Sequence, residues 1–393
     1  MSAKCDIMSE RGLVSMAAED IAIRRAIVTI KVFGVGGGGN SVLLRMAKSD
    51  FLDIELVAVN TDEKQLAIME AAGVKTLQIG EAITKGRGTG GKMEEGEQAA
   101  KADEGKIKDM MQGADLIFVT AGMGGGAGTG AAPVVARIAK ELGILVIGVV
   151  TMPFTFEGAR KKKIAEAGIV KMQSHMDALI AVQNDNLMKL PENRSMSLVN
   201  AFEAADEVLK QAIRCVAELI LTTGVVNVDF ADVTTIFRQS ESSDALLGIG
   251  QSRRSAVDAV KQAVESPLID KSLQGARGII LNITANEDLS LCDVDEATKY
   301  IFDNTDPEVN IIFGVVINSD MKDVIQATII ATDFVGSMAL KAPKAEVPKS
   351  QVAVQKGFNL DTPDFMNRPQ ARPKSSAFAI PAFKITDMAP KEK

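Results

Sequence analysis

Seven consecutive positions, Gly124-Gly125-Gly126-Ala127-Gly128-Thr129-Gly130, hold five glycines and one threonine. They follow an apolar strand candidate, Leu116–Thr120, and precede a helical stretch, Ala131–Leu142. A tight strand-to-helix turn needs one or two glycines. This density instead leaves a run of backbone N–H donors free to wrap a di- or triphosphate, with the Thr129 hydroxyl as a further donor. An earlier cluster, Gly34-Val35-Gly36-Gly37-Gly38-Gly39-Asn40-Ser41, occupies the same place after strand candidate Val28–Val35. It also fits the dinucleotide pattern GxGxxG, with Asp62 as the ribose acid, but one such match is weak. No GxxxxGK[ST] is present. Two phosphate loops on one sheet fit a nucleoside triphosphate better than a dinucleotide.

The rest of the chain supplies that sheet. Val/Ile-rich runs at Val28–Val35, Ile54–Val59, Leu116–Thr120, Ile144–Thr151 and Ala178–Val182 are apolar on both faces, as buried parallel strands are. Helical patterns separate them at Ser41–Lys48, Glu63–Ala72, Glu94–Met111, Ala131–Leu142 and Ala159–Met176. The expected fold class is α/β, a doubly wound parallel sheet over 26–197. One long helix, Leu198–Thr222, then joins it to a smaller α/β or α+β unit over 224–340, with strands at Gly278–Thr284, Val309–Ile317 and Val324–Ala331 and helices near Arg254–Glu265 and Val294–Phe302. Residues 1–25 read as a lead-in or short helix. From Lys341 the chain holds seven of its twelve prolines, so 341–377 is expected to be a disordered linker. It leads to a terminal peptide, 378–393, with the apolar island Phe378–Phe383.

Composition narrows the function. One histidine, His175, leaves little for a histidine metal site or a Ser-His-Asp triad. The three cysteines, Cys5, Cys215 and Cys292, are too scattered for a disulfide framework. With no Trp and one Tyr, stacking surfaces for nucleic acid are not expected, and a net charge of −7 argues against nonspecific DNA binding. Residues 341–393 carry a charge of about +5, a solvated linker or a contact for an acidic partner. No apolar run approaches the roughly 20 residues of a membrane span, and the N-terminus lacks a signal-peptide core. A cytoplasmic location without direct membrane insertion is expected.

The glycine run 124–130 is similar to the GGGTGTG signature of the tubulin superfamily. Together with Asn60-Thr61-Asp62, Phe154-Thr155-Phe156-Glu157-Gly158 and Asn227-Val228-Asp229-Phe230-Ala231-Asp232-Val233, it makes residues 26–335 closely resemble the FtsZ family of tubulin-like GTPases. The resemblance implies GTP and GDP as ligands, with Mg2+ held through phosphates and water rather than by protein ligands, and K+ as a second cation. It places Gly37, Gly38, Gly39, Asn40, Ser41, Asn60, Asp62, Gly88, Thr89, Gly90 and the run Gly124, Gly125, Gly126, Ala127, Gly128, Thr129, Gly130 around the phosphates, with Pro153 close by. Glu157 would contact the ribose, with Lys161 where the family has Arg. Asn184 and Asp206 would read the guanine edge and Phe202 would stack on the base. A core role for Phe202 and a solvated role for Asp206 are the bland alternatives.

A helix of about 25 residues spans about 38 Å, so the acidic loop beyond the end of Leu198–Thr222 cannot reach a nucleotide held at its start. It can reach that of a neighbour stacked head to tail, a contact that repeats into a filament. The resemblance implies the same: Asp229 and Asp232, with Asn227 positioning the loop, complete the neighbour's site and polarise the attacking water. Asp229 could equally cap the helix that starts at Phe230. The family role is a division ring at mid-cell on the inner face of the membrane. Ile380, Pro381 and Phe383 would bind membrane-anchoring and regulatory division proteins. Departures from the family pattern at Ala127, Lys92 and Lys161 keep open a GTP-binding filament scaffold with weak hydrolysis. A plasmid-segregation filament leaves the tail motif unexplained. A nicotinamide dehydrogenase leaves the second glycine run and the Asp229/Asp232 pair unexplained.

Overall fold

The computed structural model describes residues 28–334 except 50–53, 190–195, 223–227, 241, 270–272, 274, 319–320 and 322. Ten strands form one sheet in the order β3-β2-β1-β4-β5-β6-β7-β10-β8-β9. Strands β1 (Ile30–Val35), β2 (Glu55–Asn60), β3 (Lys75–Gln78), β4 (Leu116–Gly122), β5 (Leu145–Met152) and β6 (Ala178–Gln183) pair in parallel. β7 (Asp244–Ser252) adds to β6 in parallel through Leu179↔Asp244 and Ile180↔Ala245. It then pairs antiparallel with β10 (Ile325–Phe334), which is antiparallel to β8 (Ala276–Ala285); β8 is parallel to β9 (Asn310–Ile317).

Alternate residues of the parallel strands feed two cores, which is why these runs show no polar face. On one face Val32, Phe118, Ile147 and Ile180 pack with Val42, Leu43 and Met46 of α1 (Gly36–Lys48). On the other, Phe33, Val57, Val119 and Val146 pack under α4 (Met93–Ala102), α6 (Gly126–Glu141) and α7 (Ala159–Gln173). Between β2 and α4 lie α2 (Glu63–Ala71) and the short α3 (Glu81–Thr84).

The long helix is α9 (Leu198–Leu221), preceded by the short α8 (Asn184–Leu187). Ser197 caps it by accepting from Asn200 N at 3.2 Å. Ala205, Leu209, Ala212, Ile213 and Val216 form its buried stripe. They share one core with Val149 and Ile180 of the parallel strands and with Ile280 and Ile330 of β8 and β10. The Ile213 side chain is fully buried there. An Ile213→Ala chain is therefore expected to lose about 2–5 kcal/mol of stability, read as a lower urea midpoint with an unchanged slope. Beyond α9 come α10 (Phe230–Gln239), α11 (Ala256–Val264) and α12 (Leu291–Asp303); α11 and α12 cover the other face of β8 and β10 in a third core.

Three sequence expectations change. The expected helix Glu94–Met111 is two, α4 and α5 (Glu104–Met111). Asp103 breaks it, because its carboxylate accepts from Gly80 N at 2.7 Å and pairs with Lys106. The helices expected from Ser41 and Ala131 begin earlier, at Gly36 and Gly126, so the two glycine clusters form first helical turns rather than loops. Strands β3 and β7 have no expected counterpart: β3 is four residues, three of them polar (Lys75, Thr76 and Gln78), and β7 carries glycine where α11 lies against it. A Cβ on Gly248 or Gly250 would sit 2.2 Å from the Ala263 or Ala259 carbonyl oxygen.

Candidate nucleotide site

The strand order reverses between β1 and β4: the chain winds outward through β2 and β3 on one side and through β5 and β6 on the other. The crevice at the carboxyl ends of such strands is where doubly wound sheets bind ligands. Both α1 and α6 start at this point, from opposite faces of the sheet. Neither has a side-chain cap or an acidic residue in its first turn. Their first N–H groups, with the positive ends of two helix dipoles, suit an anion.

Most glycines here are demanded by backbone packing. A Cβ on Gly36 would lie 2.5 Å from Gly128 N, one on Gly38 2.8 Å from Gly122 Cα, and one on Gly39 2.4 Å from Thr120 O. A Cβ on Gly126 would meet Thr89 and the Lys92 backbone, and one on Gly130 would lie 2.1 Å from the Met93 carbonyl oxygen. Two positions differ. Gly37 meets only the amide end of Gln65, at 3.0 Å, and Gly125 meets nothing nearer than Gly122 O at 4.0 Å. Gly124 holds a positive φ of 97° against the Lys161 backbone. Gly90 has open space on its Cβ side, and Gly88 only Asp62, at 3.9 Å.

Several side chains expected at the phosphates serve the frame. Thr129 is buried and its hydroxyl oxygen accepts from Gly124 N at 2.8 Å, closing the turn. The buried Asn40 amide, oriented to satisfy its neighbours, donates to Gly34 O (2.8 Å) and Gly36 O (2.9 Å) and accepts from Asn60 Nδ2 (3.2 Å). The Asn60 side-chain Oδ1 accepts from Thr61 N at 2.8 Å and Asp62 N at 3.2 Å. Asp62 caps α2 by accepting from Lys64 N at 3.0 Å. Ser41, by contrast, is exposed and donates to Gly37 O at 3.1 Å. Ala127 is half-buried in the first turn of α6.

Farther along the crevice, Pro153 is buried after β5. Glu157 accepts from Phe154 N at 3.0 Å and is ion-paired to Lys161 Nζ at 3.0 Å. Phe202, 41% exposed, packs edge-on against Phe154 at 5.3 Å and Phe156 at 6.5 Å between ring centroids. Asn184 is buried with an Oδ1 that has no hydrogen-bond partner among the described residues. A buried carbonyl oxygen left without a donor suits a ligand that brings one, as the guanine edge does. Asp206 is held by Arg45 of α1, with Nε 3.0 Å from its carboxylate, while Arg45 also pairs with Glu203 at 3.2 Å. Sequence reasoning missed Arg45, since nothing in the chain's order couples positions 161 residues apart. Among the described residues, no cluster of three or more His, Cys, Asp or Glu could hold a metal ion.

Residues 29–192 match the tubulin/FtsZ family GTPase domain, and residues 243–335 match the FtsZ family C-terminal domain. An empty FtsZ dimer from M. jannaschii is similar at 36% identity and a TM-score of 0.74, covering 82% of this chain and 92% of that one. The chain belongs to the tubulin/FtsZ family. A point mutant of FtsZ from the same organism matches at 35% identity and a TM-score of 0.75, covering 83% of this chain and 95% of that one. CetZ2 from Haloferax volcanii, solved as a GTPγS-bound protofilament, matches at 23% identity and a TM-score of 0.65 over 79% of this chain and 95% of that one, a likeness of fold alone. A tubulin/FtsZ GTPase domain binds a guanine nucleotide, and the two open helix ends and the orphaned Asn184 oxygen fit one.

Asp229 and Asp232 of this FtsZ-family chain lie elsewhere. Asp229 caps α10, accepting from Ala231 N at 3.3 Å, and Asp232 is exposed in its first turn. Between them and Phe202 runs most of α9, from Phe202 to its last residue Leu221, or about 29 Å. The capping role expected as an alternative for Asp229 is thus present. Asn227 and the tail residues Ile380, Pro381 and Phe383 lie outside the described residues. No described helix is long and apolar enough to cross a membrane.

Burial raises the Asp206 carboxyl above its ordinary 3.8, and Arg45 only partly opposes it. The folded chain holds that proton more tightly than the unfolded chain. Stability from this group is therefore present at low pH and lost as pH rises through the raised value. An Asp206 that reads the guanine edge must be ionised, so GTP affinity is expected to weaken on acidification before an ordinary Asp would lose its charge. Equilibrium dialysis over a falling pH series checks it; an Asp206→Asn chain should bind GTP weakly with little pH dependence.

Proposed function

We propose that this chain is a polymerising GTPase of cell division, in which Asp229 and Asp232 of one copy complete the nucleotide site of the next. The observation that carries this reading is the separation of the two half-sites by the length of α9. The open first turns at Gly37 and Gly125, with Gly88–Gly90 nearby, seat the phosphates. Gly124 shapes the turn into α6 and Gly128 to Gly130 its start, and Asn40, Asn60, Asp62 and Thr129 brace this frame. Glu157 and Lys161 lie toward the ribose, and Phe202, Asn184 and Asp206 toward the base. Bound Mg2+, held by phosphate and water oxygens, would neutralise triphosphate charge, and K+ would add to this. Asp232, with no ion pair among the described residues, accepts a proton from the attacking water; Asp229 holds the turn that aims it, and Asn227 belongs to the same loop. The contact is heterologous, so it repeats into a filament. The γ-phosphate favours the assembled state and its loss releases it.

We read 26–197 as the GTP-binding domain, 198–223 as the joining helix and 224–340 as the domain that presents the acidic loop. Ile380, Pro381 and Phe383 then tie the filament to division proteins at the cytoplasmic side of the membrane. A scaffold with weak hydrolysis is the second reading. It is favoured by Lys161, whose ammonium is already held by Glu157 and lacks the two-pronged geometry of arginine.

Phosphate release measured against protein concentration tests the proposal. A threshold concentration, below which GTP is bound but not hydrolysed, is expected. Turnover strictly proportional to concentration from the lowest values would mean a complete site in each copy and would end the shared-site reading.

A further inference from the structure

Helix α12 buries one side, where Ala297 and Ile301 enter the third core. On the side turned away, Leu291, Asp295, Thr298 and Phe302 follow the helical repeat in one line. Leu291 is 84% exposed and Phe302 51%. A single exposed apolar side chain is ordinary on a protein surface. These two stand at opposite ends of one stripe, eleven residues apart, or about 16.5 Å. Acids flank the stripe: Asp295, Glu296 and Asp303 are exposed. Residues 286–308 carry eight Asp/Glu against one Lys, and that one, Lys299, is paired with Asp295. A second α12 laid against this face would meet like charge. The face suits an occupant with two apolar anchors and positive flanks.

The sequence itself contains such a segment. Residues 365–386 hold Arg368, Arg372, Lys374 and Lys384 and no acidic residue. Within them Phe378, Ile380 and Phe383 surround Pro381. In an extended run side chains alternate, so Phe378 and Ile380 share a face. The residue before a proline favours extended backbone, and one three-residue polyproline turn from Ile380 returns Phe383 to that face. Phe378 and Phe383 then stand about 16 Å apart, which matches Leu291 and Phe302. We propose that the exposed stripe of α12 docks the chain's own 378–384 segment. Phe378 and Phe383 cover the two apolar ends, Ile380 lies between them, and Lys374 and Lys384 face the flanking acids. A segment held in this way has Ile380 and Phe383 covered, so docking and the binding of division proteins exclude each other. The inference goes beyond the proposed function and does not depend on it.

The probe is a fluorescein-labelled synthetic peptide of residues 374–386, titrated by fluorescence anisotropy without nucleotide. It is added to four full-length chains: the parent, F378A/F383A, F378A/F383A/L291S/F302S, and the control F378A/F383A/I68S, Ile68 being 57% exposed on α2. Circular dichroism confirms folding. The peptide is expected to bind the F378A/F383A chain, whose own segment has lost its anchors. Adding L291S/F302S should weaken binding at least about tenfold, and adding I68S should leave it within about twofold. The parent should bind the peptide at least about tenfold more weakly than F378A/F383A, because its tethered segment competes at high effective concentration. The inference is overturned if F378A/F383A does not bind the peptide, or if L291S/F302S leaves binding unchanged. Equal binding of a scrambled peptide of the same composition would also overturn it, since charge alone would then explain the contact. So would a parent chain that binds as tightly as F378A/F383A, which would mean that the face serves a foreign partner. None of these outcomes touches the threshold for phosphate release, so this inference and the shared-site reading fail separately.

Discussion

GTP turnover by an Asp232→Ala chain is expected to fall about 10²- to 10⁴-fold, the usual contribution of a positioned general base, with GTP affinity unchanged. The reason is distance: Asp232 stands beyond the end of the 24-residue α9 from Phe202 and Asp206, so its removal cannot disturb the nucleotide held by the same copy. A mixing experiment sharpens the point. An Asp232→Ala copy keeps a sound pocket, and a Gly125→Val copy keeps a sound acidic turn but has a side chain in its phosphate seat. Each is inactive alone. Mixed in equal amounts, they form interfaces that pair the good pocket with the good turn, and part of the turnover should return. No recovery, with both chains folded and the first still binding GTP, would place the hydrolytic carboxylate within one copy.

The second large effect separates glycines that the fold requires from those that the ligand requires. In Gly39→Ala the new methyl would lie 2.4 Å from Thr120 O and 2.8 Å from Gly34 C. Both are backbone atoms inside the sheet, so neither can yield as a side-chain tip would. A loss of about 3 kcal/mol or more is expected, seen as a large drop in urea midpoint. Gly125→Ala meets no atom nearer than 4.0 Å. It should change stability by less than about 1 kcal/mol, the cost of a poorer helix cap. Its methyl points where phosphate oxygens would approach the first turn of α6, so GTP affinity should fall at least about tenfold, equivalent to about 1.4 kcal/mol. If Gly125→Ala binds GTP as the parent does, the phosphate seat is not at that helix end.

These residues also show where reading the chain from its order reaches a limit. Strands β1, β2, β4, β5 and β6 were legible because Val32, Phe118, Ile147 and their neighbours are apolar on both faces, and a two-sided core leaves that mark in any sequence. The long helix was legible because Leu198–Leu221 holds neither glycine nor proline. The density of glycine was legible too, but its cause was not. Gly36, Gly38, Gly39, Gly126 and Gly130 answer to backbone atoms brought from other strands and helices. Strand β7 escaped notice for the same reason, its Gly248 and Gly250 being set by α11. The pairing of Arg45 with Asp206 and the unsatisfied oxygen of Asn184 have no counterpart in local pattern.

Periodicity and composition record what a segment does with its own faces. The amino-acid order alone therefore determined most of the parallel strands, the long helix and the presence of two glycine-dense strand-to-helix junctions. Contact across long separations is recorded only in space. The tertiary structure alone decided which glycines remain open, which polar side chains are consumed in bracing the turns, and that Arg45 holds Asp206.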